Sequence, residues 1–270
     1  MTAEELRGSL DVAALRDAVL GSSPVWRRVD VVPETGSTNA DLIARAAAGE
    51  DIDGAVLIAE HQTAGRGRRG RQWSDVAGAQ IAMSVGVDIG TVPTDRWGWL
   101  PLVTGVAIVD AVAAVTGVEA GLKWPNDVLA GSGKLAGILA EVAAPQRVIV
   151  VGLGLNVSLR SGEIPAPEAI SLLELGVDAP NRARLIEALL HELGERIVAW
   201  RNAGGADDRL MADYRTRCLT LGASVRAVLP DNREITGIAK AVDEQGRLSI
   251  DSNGKTTLVS AGDVTHLRPI

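Results

Sequence analysis

The sequence predicts an α+β chain: strands and helices interleave through residues 1–217, and a small all-β module follows over residues 218–270. Three observations carry that reading. Ile81, Met83, Val85, Val87 and Ile89 recur with a period of two, the mark of a strand with one buried face. Ile186, Leu190, Leu193, Ile197 and Trp200 form a stripe with charges between them, which predicts a helix over 182–202. From Gly222 the texture changes to short alternating runs, SVRAVL, ITGIAKAV, RLSID and TTLVS, broken by PDN, DEQG and SNG turns. That is the pattern of a small barrel of about 50 residues.

The other elements follow in order. Leu6, Leu10, Ala14 and Leu15 have helical spacing and predict one short helix over 4–20. RVDVVPETGSTNADLIARAAAG reads as a strand, a turn at 34–37 and a helix over 39–48, with Ser37 or Thr38 as its cap. AVLIAEHQT predicts a strand over 55–63. Residues 97–116 are rich in Ala, Val and Leu and suit a buried helix. Glycine-punctuated strands are expected over 122–130, 134–142 and 147–157, and the domain boundary near 217–222.

Composition narrows the function classes. Of 270 residues, 46% are hydrophobic and 23% charged, which is ordinary for a globular protein. No apolar run is expected to span a bilayer, and the first twenty residues mix acids and bases through their apolar positions, unlike a secretory signal. A single cysteine, Cys218, excludes an internal disulfide and fits a reducing, cytoplasmic location. A net charge of −7 argues against a broad nucleic-acid surface. His61, His191 and His266 lie far apart, and HELGE (191–195) lacks the second His of a zinc protease.

Against that acidic background stands GRGRRGRQW (65–73), with four arginines and three glycines in nine residues. Gly65, Gly67 and Gly70 match GxGxxG, with Asp88 downstream, but a dinucleotide fingerprint needs a helix where a strand follows. A nuclear address or nucleic-acid tether belongs in a tail, whereas this loop lies between two buried strands. An idle solvated loop has no need of four cations. The remaining reading is an anion-binding loop: glycines let the backbone approach a ligand, arginines fork onto carboxylate or phosphate oxygens, and Trp73 offers a flat face. Further on, Pro125-Asn126-Asp127 predicts a turn. If 122–130 and 134–142 pair as a hairpin, Lys123 and Lys134 reach one end of the sheet; the alternative is edge lysines at a solvated rim. GLGLNV (152–157) is a strand whose glycines mark close packing or a site.

Taken together, GSTN (36–39), EHQTAGRGRRGRQW (60–73), KWPNDVL (123–129), GKLAGILAE (133–141) and GLGLNV (152–157) closely resemble the biotin protein ligases. The resemblance is dense over residues 30–160. It implies a central mixed or antiparallel sheet with helices, of the class II synthetase type, and an SH3-like C-terminal module. It implies ATP-dependent activation of biotin as biotinyl-5′-AMP, then transfer to a lysine of a carboxylase's biotin carrier domain, with Mg²⁺ as activator. By carry-over, Ser37, Thr38, Asn39, Gln62, Arg66, Gly67, Arg68 and Lys134 bind biotin, and Arg69, Trp73, Lys123, Asn126 and Asn156 bind ATP. Lys134, Arg66, Arg68 and Asp127 are the expected catalytic set. Asp127 either holds Mg²⁺ or orients the acceptor lysine; as a bare residue it is a turn-stabilising carboxylate. Some relatives also carry an N-terminal DNA reader, and with 36 residues before Ser37 none is expected. No membrane partner is expected, and the oligomer is a monomer or weak homodimer. The rival functions are lipoate or octanoate transfer on the same fold and a nucleic-acid-binding module.

Overall fold

The computed structural model describes residues 6–145, 147–164, 166–229, 233–260 and 263–267. Among the described residues, Leu6 is helical and the first full helix is α1 (Val12–Ser22). The single helix expected over 4–20 is interrupted: residues 8–11 are not helical, and residues 4 and 5 lie outside the described residues. Asp11 explains the late start, because its carboxylate accepts the Ala14 N–H at 3.0 Å and caps the helix.

The larger unit is a seven-stranded sheet. Its order is β1 (Arg28–Val32), β2 (Ala55–Ala59), β3 (Gln80–Asp88), β7 (Val148–Asn156), β6 (Gly133–Ala143), β5 (Asp127–Ala130) and β4 (Ala120–Lys123). β1 and β2 run parallel because α2 (Thr38–Ala47) crosses between them. All other neighbours are antiparallel. Period-two patterning divides the core. Val56, Ile58, Met83 and Val85 face the main cluster, while Leu57 faces a smaller one with Leu42 and Ala46 of α2.

The main cluster is roofed by α3 (Trp99–Thr116), α4 (Arg182–Asn202) and α5 (Asp208–Arg217). The segment Thr94–Thr116 corrects one expectation: with a mean hydropathy of 1.8 it is long and apolar enough to cross a membrane. It is instead a core helix, with 67% of that window buried, and Gly117 ends it in the left-handed region at φ 73°. The expected strand over 122–130 is also corrected. It is two strands, β4 and β5, turned at 124–126, with Lys123 paired directly to Asp127. Pro125 lacks the N–H that an uninterrupted ladder needs. A second hairpin joins β5 to β6, with a bulge between the pairs Val128–Ala136 and Leu129–Lys134.

The second sheet is antiparallel throughout, in the order β11 (Lys255–Val259), β10 (Leu248–Ser252), β9 (Glu234–Val242), β8 (Ser224–Val228), β12 (Asp263–His266). The expected PDN turn at 230–232 lies outside the described residues. Indole N–H groups fasten this sheet to the first unit: Trp99 Nε1 donates to the Asp243 carbonyl and Trp124 Nε1 to the Gly246 carbonyl, each at 3.0 Å. Glycines permit the approach, since a Cβ on Gly98 would lie 2.6 Å from the Gln245 carbonyl oxygen.

Candidate functional site

A cleft of about 500 Å³ opens over β6 and β7, beside the arginine loop. Its walls come from the N-terminus of α2, the β4–β5 turn and Val264 and Thr265 of β12, so both sheets contribute. All of Ser37, Thr38, Asn39, Gln62, Arg66, Gly67, Arg68, Trp73, Lys123, Asn126, Asp127, Lys134 and Asn156 line it; Arg69 does not.

At the start of α2 the expected side-chain cap is absent: Ser37 occupies the N-cap position without a capping hydrogen bond. Gln62 supplies the acceptor instead. Its Oε1 takes the Thr38 N–H at 2.9 Å, and the Thr38 hydroxyl lies 3.2 Å from the same oxygen and 2.7 Å from the Ser84 hydroxyl. Ser84 in turn donates to Asn39 Oδ1 at 2.6 Å. Asn39 Nδ2 donates to Glu141 at 2.9 Å, and Glu141 accepts Arg66 Nη2 at 2.7 Å. One polar chain therefore runs from Gln62 under the cleft floor to the arginine loop. Asn39 is a buried strut within it, and Gly152 makes room: a Cβ there would lie 2.1 Å from Asn39 Oδ1.

The loop is a small folded object. The Trp73 N–H donates to the Gly65 carbonyl at 2.9 Å and the Gly67 N–H to the Arg71 carbonyl at 2.7 Å. Arg68 donates to Asn126 Oδ1 at 2.9 Å. Arg69 adopts the left-handed region, φ 56°, and its Nη2 donates to the Val228 carbonyl of β8 at 3.1 Å. That places Arg69 against the second sheet. Trp73 lies flat on the cleft floor. A Cβ on Gly154 would meet its Cε2 at 2.3 Å, and one on Gly137 its ring at 3.1 Å. The two glycines are thus a seat for an indole.

Lys134 Nζ sits 2.7 Å from Asp127 Oδ1 and 5.8 Å from the Trp73 ring centroid. Lys123 has no ion-pair partner among the described residues, and burial, helped by the Lys123 charge, holds the nearby His266 imidazole below its usual range. Asn156 is fully buried and fully bonded. Its Nδ2 donates to the Lys134 and Ile170 carbonyls at 3.1 Å each, and its Oδ1 accepts from Gln80 at 2.9 Å. It fixes the Lys134 backbone. Among the described residues no group of three His, Cys, Asp or Glu is clustered to hold a metal. Asp127 as one carboxylate fits Mg²⁺, which takes one or two protein carboxylates and fills its other positions with phosphate and water.

Sequence reasoning missed Asp75, Gln80, Ser84 and Glu141 as supports. Glu141 lies inside a quoted motif but carried no role; the others are single polar residues in strand or loop texture.

Cations, a glycine-bearing loop and a buried polar subsite in one cleft of this mixed sheet define a protein that binds anionic small molecules. Residues 37–157 match the biotin/lipoate A/B protein ligase family and residues 220–267 the biotin protein ligase C-terminal domain. The chain is 57% identical to a Mycobacterium tuberculosis biotin–[acetyl-CoA-carboxylase] ligase over 98% of both chains. It is 33% identical to the Escherichia coli bifunctional ligase/repressor BirA, over 84% of this chain and 70% of that one. A biotin protein ligase from Aquifex aeolicus, solved with biotin and ATP, shares the fold, with a TM-score of 0.78 at 24% identity over 90% of this chain and all of the other. The chain belongs to the biotin protein ligases.

Proposed function

We propose that this cleft joins biotin to the α-phosphate of ATP, giving biotinyl-5′-AMP and pyrophosphate, and then passes biotin to a lysine of a carboxylase's biotin carrier domain. The observation that carries the reading is convergence: Lys134, Arg66 and Arg68 line the same cleft as the Thr38–Gln62 pair. Cations thus stand beside a neutral subsite. The ureido head of biotin suits that subsite, with Ser37, Thr38 and Gln62 as its hydrogen-bonding partners. Ser37 is well placed, since its hydroxyl has no partner among the described residues.

The cations answer an electrostatic problem. Carboxylate and phosphate are both anions, and two unit charges about 4 Å apart repel by roughly 4 kcal/mol at an effective dielectric of about 20. That is on the order of a thousandfold in rate. Lys134 bridges biotin's carboxylate and the α-phosphate, and Arg66 and the Gly67–Arg68 backbone close over them. To bind substrate, Arg66 exchanges Glu141 for the biotin carboxylate, a like-for-like swap of partner. Lys123 and Asn126 meet the nucleotide phosphates, and Trp73 stacks on adenine or packs beside it; Arg69, expected to do the same, stands outside the cleft lining against β8. Asn156 serves the nucleotide through the Lys134 backbone that it holds. Asp127 would be the protein carboxylate for Mg²⁺, which would supply charge to offset the phosphates, or would orient the acceptor lysine; it also pairs with the Lys134 ammonium.

Residues 1–217 act as the catalytic unit and 218–270 as a second unit that completes the cleft through β12. The test is ATP–pyrophosphate exchange driven by biotin, run beside lipoate and octanoate. Exchange driven by biotin alone supports the assignment, and exchange driven by either other acid overturns it.

A further inference from the structure

Asp75 lies outside the cleft lining yet closes the neck of the arginine loop. Its Oδ2 accepts the Gln62 N–H at 2.6 Å, so one hydrogen bond joins the two ends of the segment 62–75. Its flanks are fixed on both sides by Gln80, whose Nε2 donates to the Ser74 carbonyl at 3.2 Å and whose Oε1 accepts the Val76 N–H at 2.9 Å. Across the same bond, the Gln62 side chain holds Thr38. The carboxylate therefore fixes at once where the loop springs from the sheet and where Gln62 presents its amide. No step of the proposed reaction uses it.

We propose that Asp75 is a positioning residue for biotin recognition: its carboxylate clasps the neck of the arginine loop and holds Gln62 in register with Thr38. This rests on the reading of Gln62 and Thr38 as the partners of the ureido head. The charged groups that face Asp75 are His61, which pairs with Glu34 at 3.1 Å, and Arg182, which pairs with Glu60 at 2.6 Å. Burial pushes the carboxyl up to about 6, outweighing the Gln62 N–H and the neighbouring His61 and Arg182 side chains, which favour the anion. A protonated Asp75 is a weaker acceptor for Gln62, so the clasp loosens as the pH falls through that value.

The test measures biotin binding to the full chain without nucleotide, by calorimetry between pH 5.0 and 8.0, for the wild type and Asp75→Asn. A biotin amide, which has no titrating carboxyl, is the second probe. Wild-type affinity for both probes is expected to fall about tenfold from pH 7.5 to 5.0, the fraction of carboxylate lost by a group of that pKa. Asp75→Asn is expected to bind more weakly at pH 7.5 and to show no slope. A slope that persists in Asp75→Asn belongs to another group and overturns the proposal, as does a flat wild-type profile. Should the variant fail to fold, the Gln62 amide proton of the wild type is followed by NMR; a shift titrating near pH 6 supports the clasp and its absence refutes it. A chain that binds neither probe at any pH overturns the reading of the site itself, a result separate from the others.

Discussion

Lys134 and Asp127 stand across a hairpin bulge, and the bulge is what brings them together. Lys134→Ala is expected to slow adenylate formation by about 10²–10³-fold, the size of a lost preorganised charge stabiliser, as read by pyrophosphate exchange at saturating biotin. Asp75 makes a contrary kind of residue. Its folded pKa, about 6, lies above the usual carboxylate value, so between those values the folded chain binds more protons than the unfolded one. Its contribution to stability is present at low pH and declines as the pH rises toward 6. Asp75→Asn is therefore expected to melt at least as high as the wild type at pH 7, with less of this slope, while binding biotin more weakly; thermal denaturation at pH 4.5 and 7 measures it. Residues of this kind were illegible in the sequence. An aspartate two places after a tryptophan has no pattern, and its burial against the Gln62 amide exists only once two distant segments meet. Lys134 was legible because its motif is long and its residue type unusual beside a glycine-rich strand.

Elements fared according to how local their causes are. The helix over 182–202 appears with those bounds, because stripe and cap (Asn181 accepting the Arg184 N–H at 3.1 Å) are both written in neighbouring residues. The strand expected over 122–130 split because a turn outweighed alternation, and the helix expected from 97 begins at Trp99 after a short 3₁₀ turn. The cleft floor depends on glycines whose necessity is tertiary. Gly152→Ala would drive a Cβ into Asn39, whose bonds to Ser84, Leu139 and Glu141 leave it nowhere to move. Overpacking there is expected to cost about 1–3 kcal/mol, read from a urea unfolding midpoint. The lid is the element on which selectivity turns. Arg68 ties it to Asn126 of the facing turn, and a charge-assisted bond of that type is worth roughly 1.5–3 kcal/mol. Arg68→Gly is expected to release adenylate about tenfold or more faster, seen as labelling of bystander proteins in a mixture. Labelling as selective as that of the parent would count against a retaining lid.

Across the whole molecule, the two sheets meet at a hydroxyl. Thr220 Oγ1 accepts the Trp124 N–H at 3.0 Å and lies 2.9 Å from His266 Nε2, which joins β12 to the turn that carries Lys123 and Asn126. Burial and Lys123 hold His266 below its usual range, so the unfolded chain binds its proton more readily. Stability from this group is present above the unfolded pKa and lost as the pH falls through the folded one. The joint is expected to loosen below about pH 6.5, the ordinary histidine value, and His266→Gln to flatten that part of the melting profile. None of this was visible in the sequence, which marked a change of texture near Gly222 but no contact across it. The farthest reach belongs to Arg69, whose guanidinium rests on the Val228 carbonyl of β8. The smaller sheet thereby holds one corner of the arginine loop, so a change in its strands, far from the cleft, alters how the loop rests.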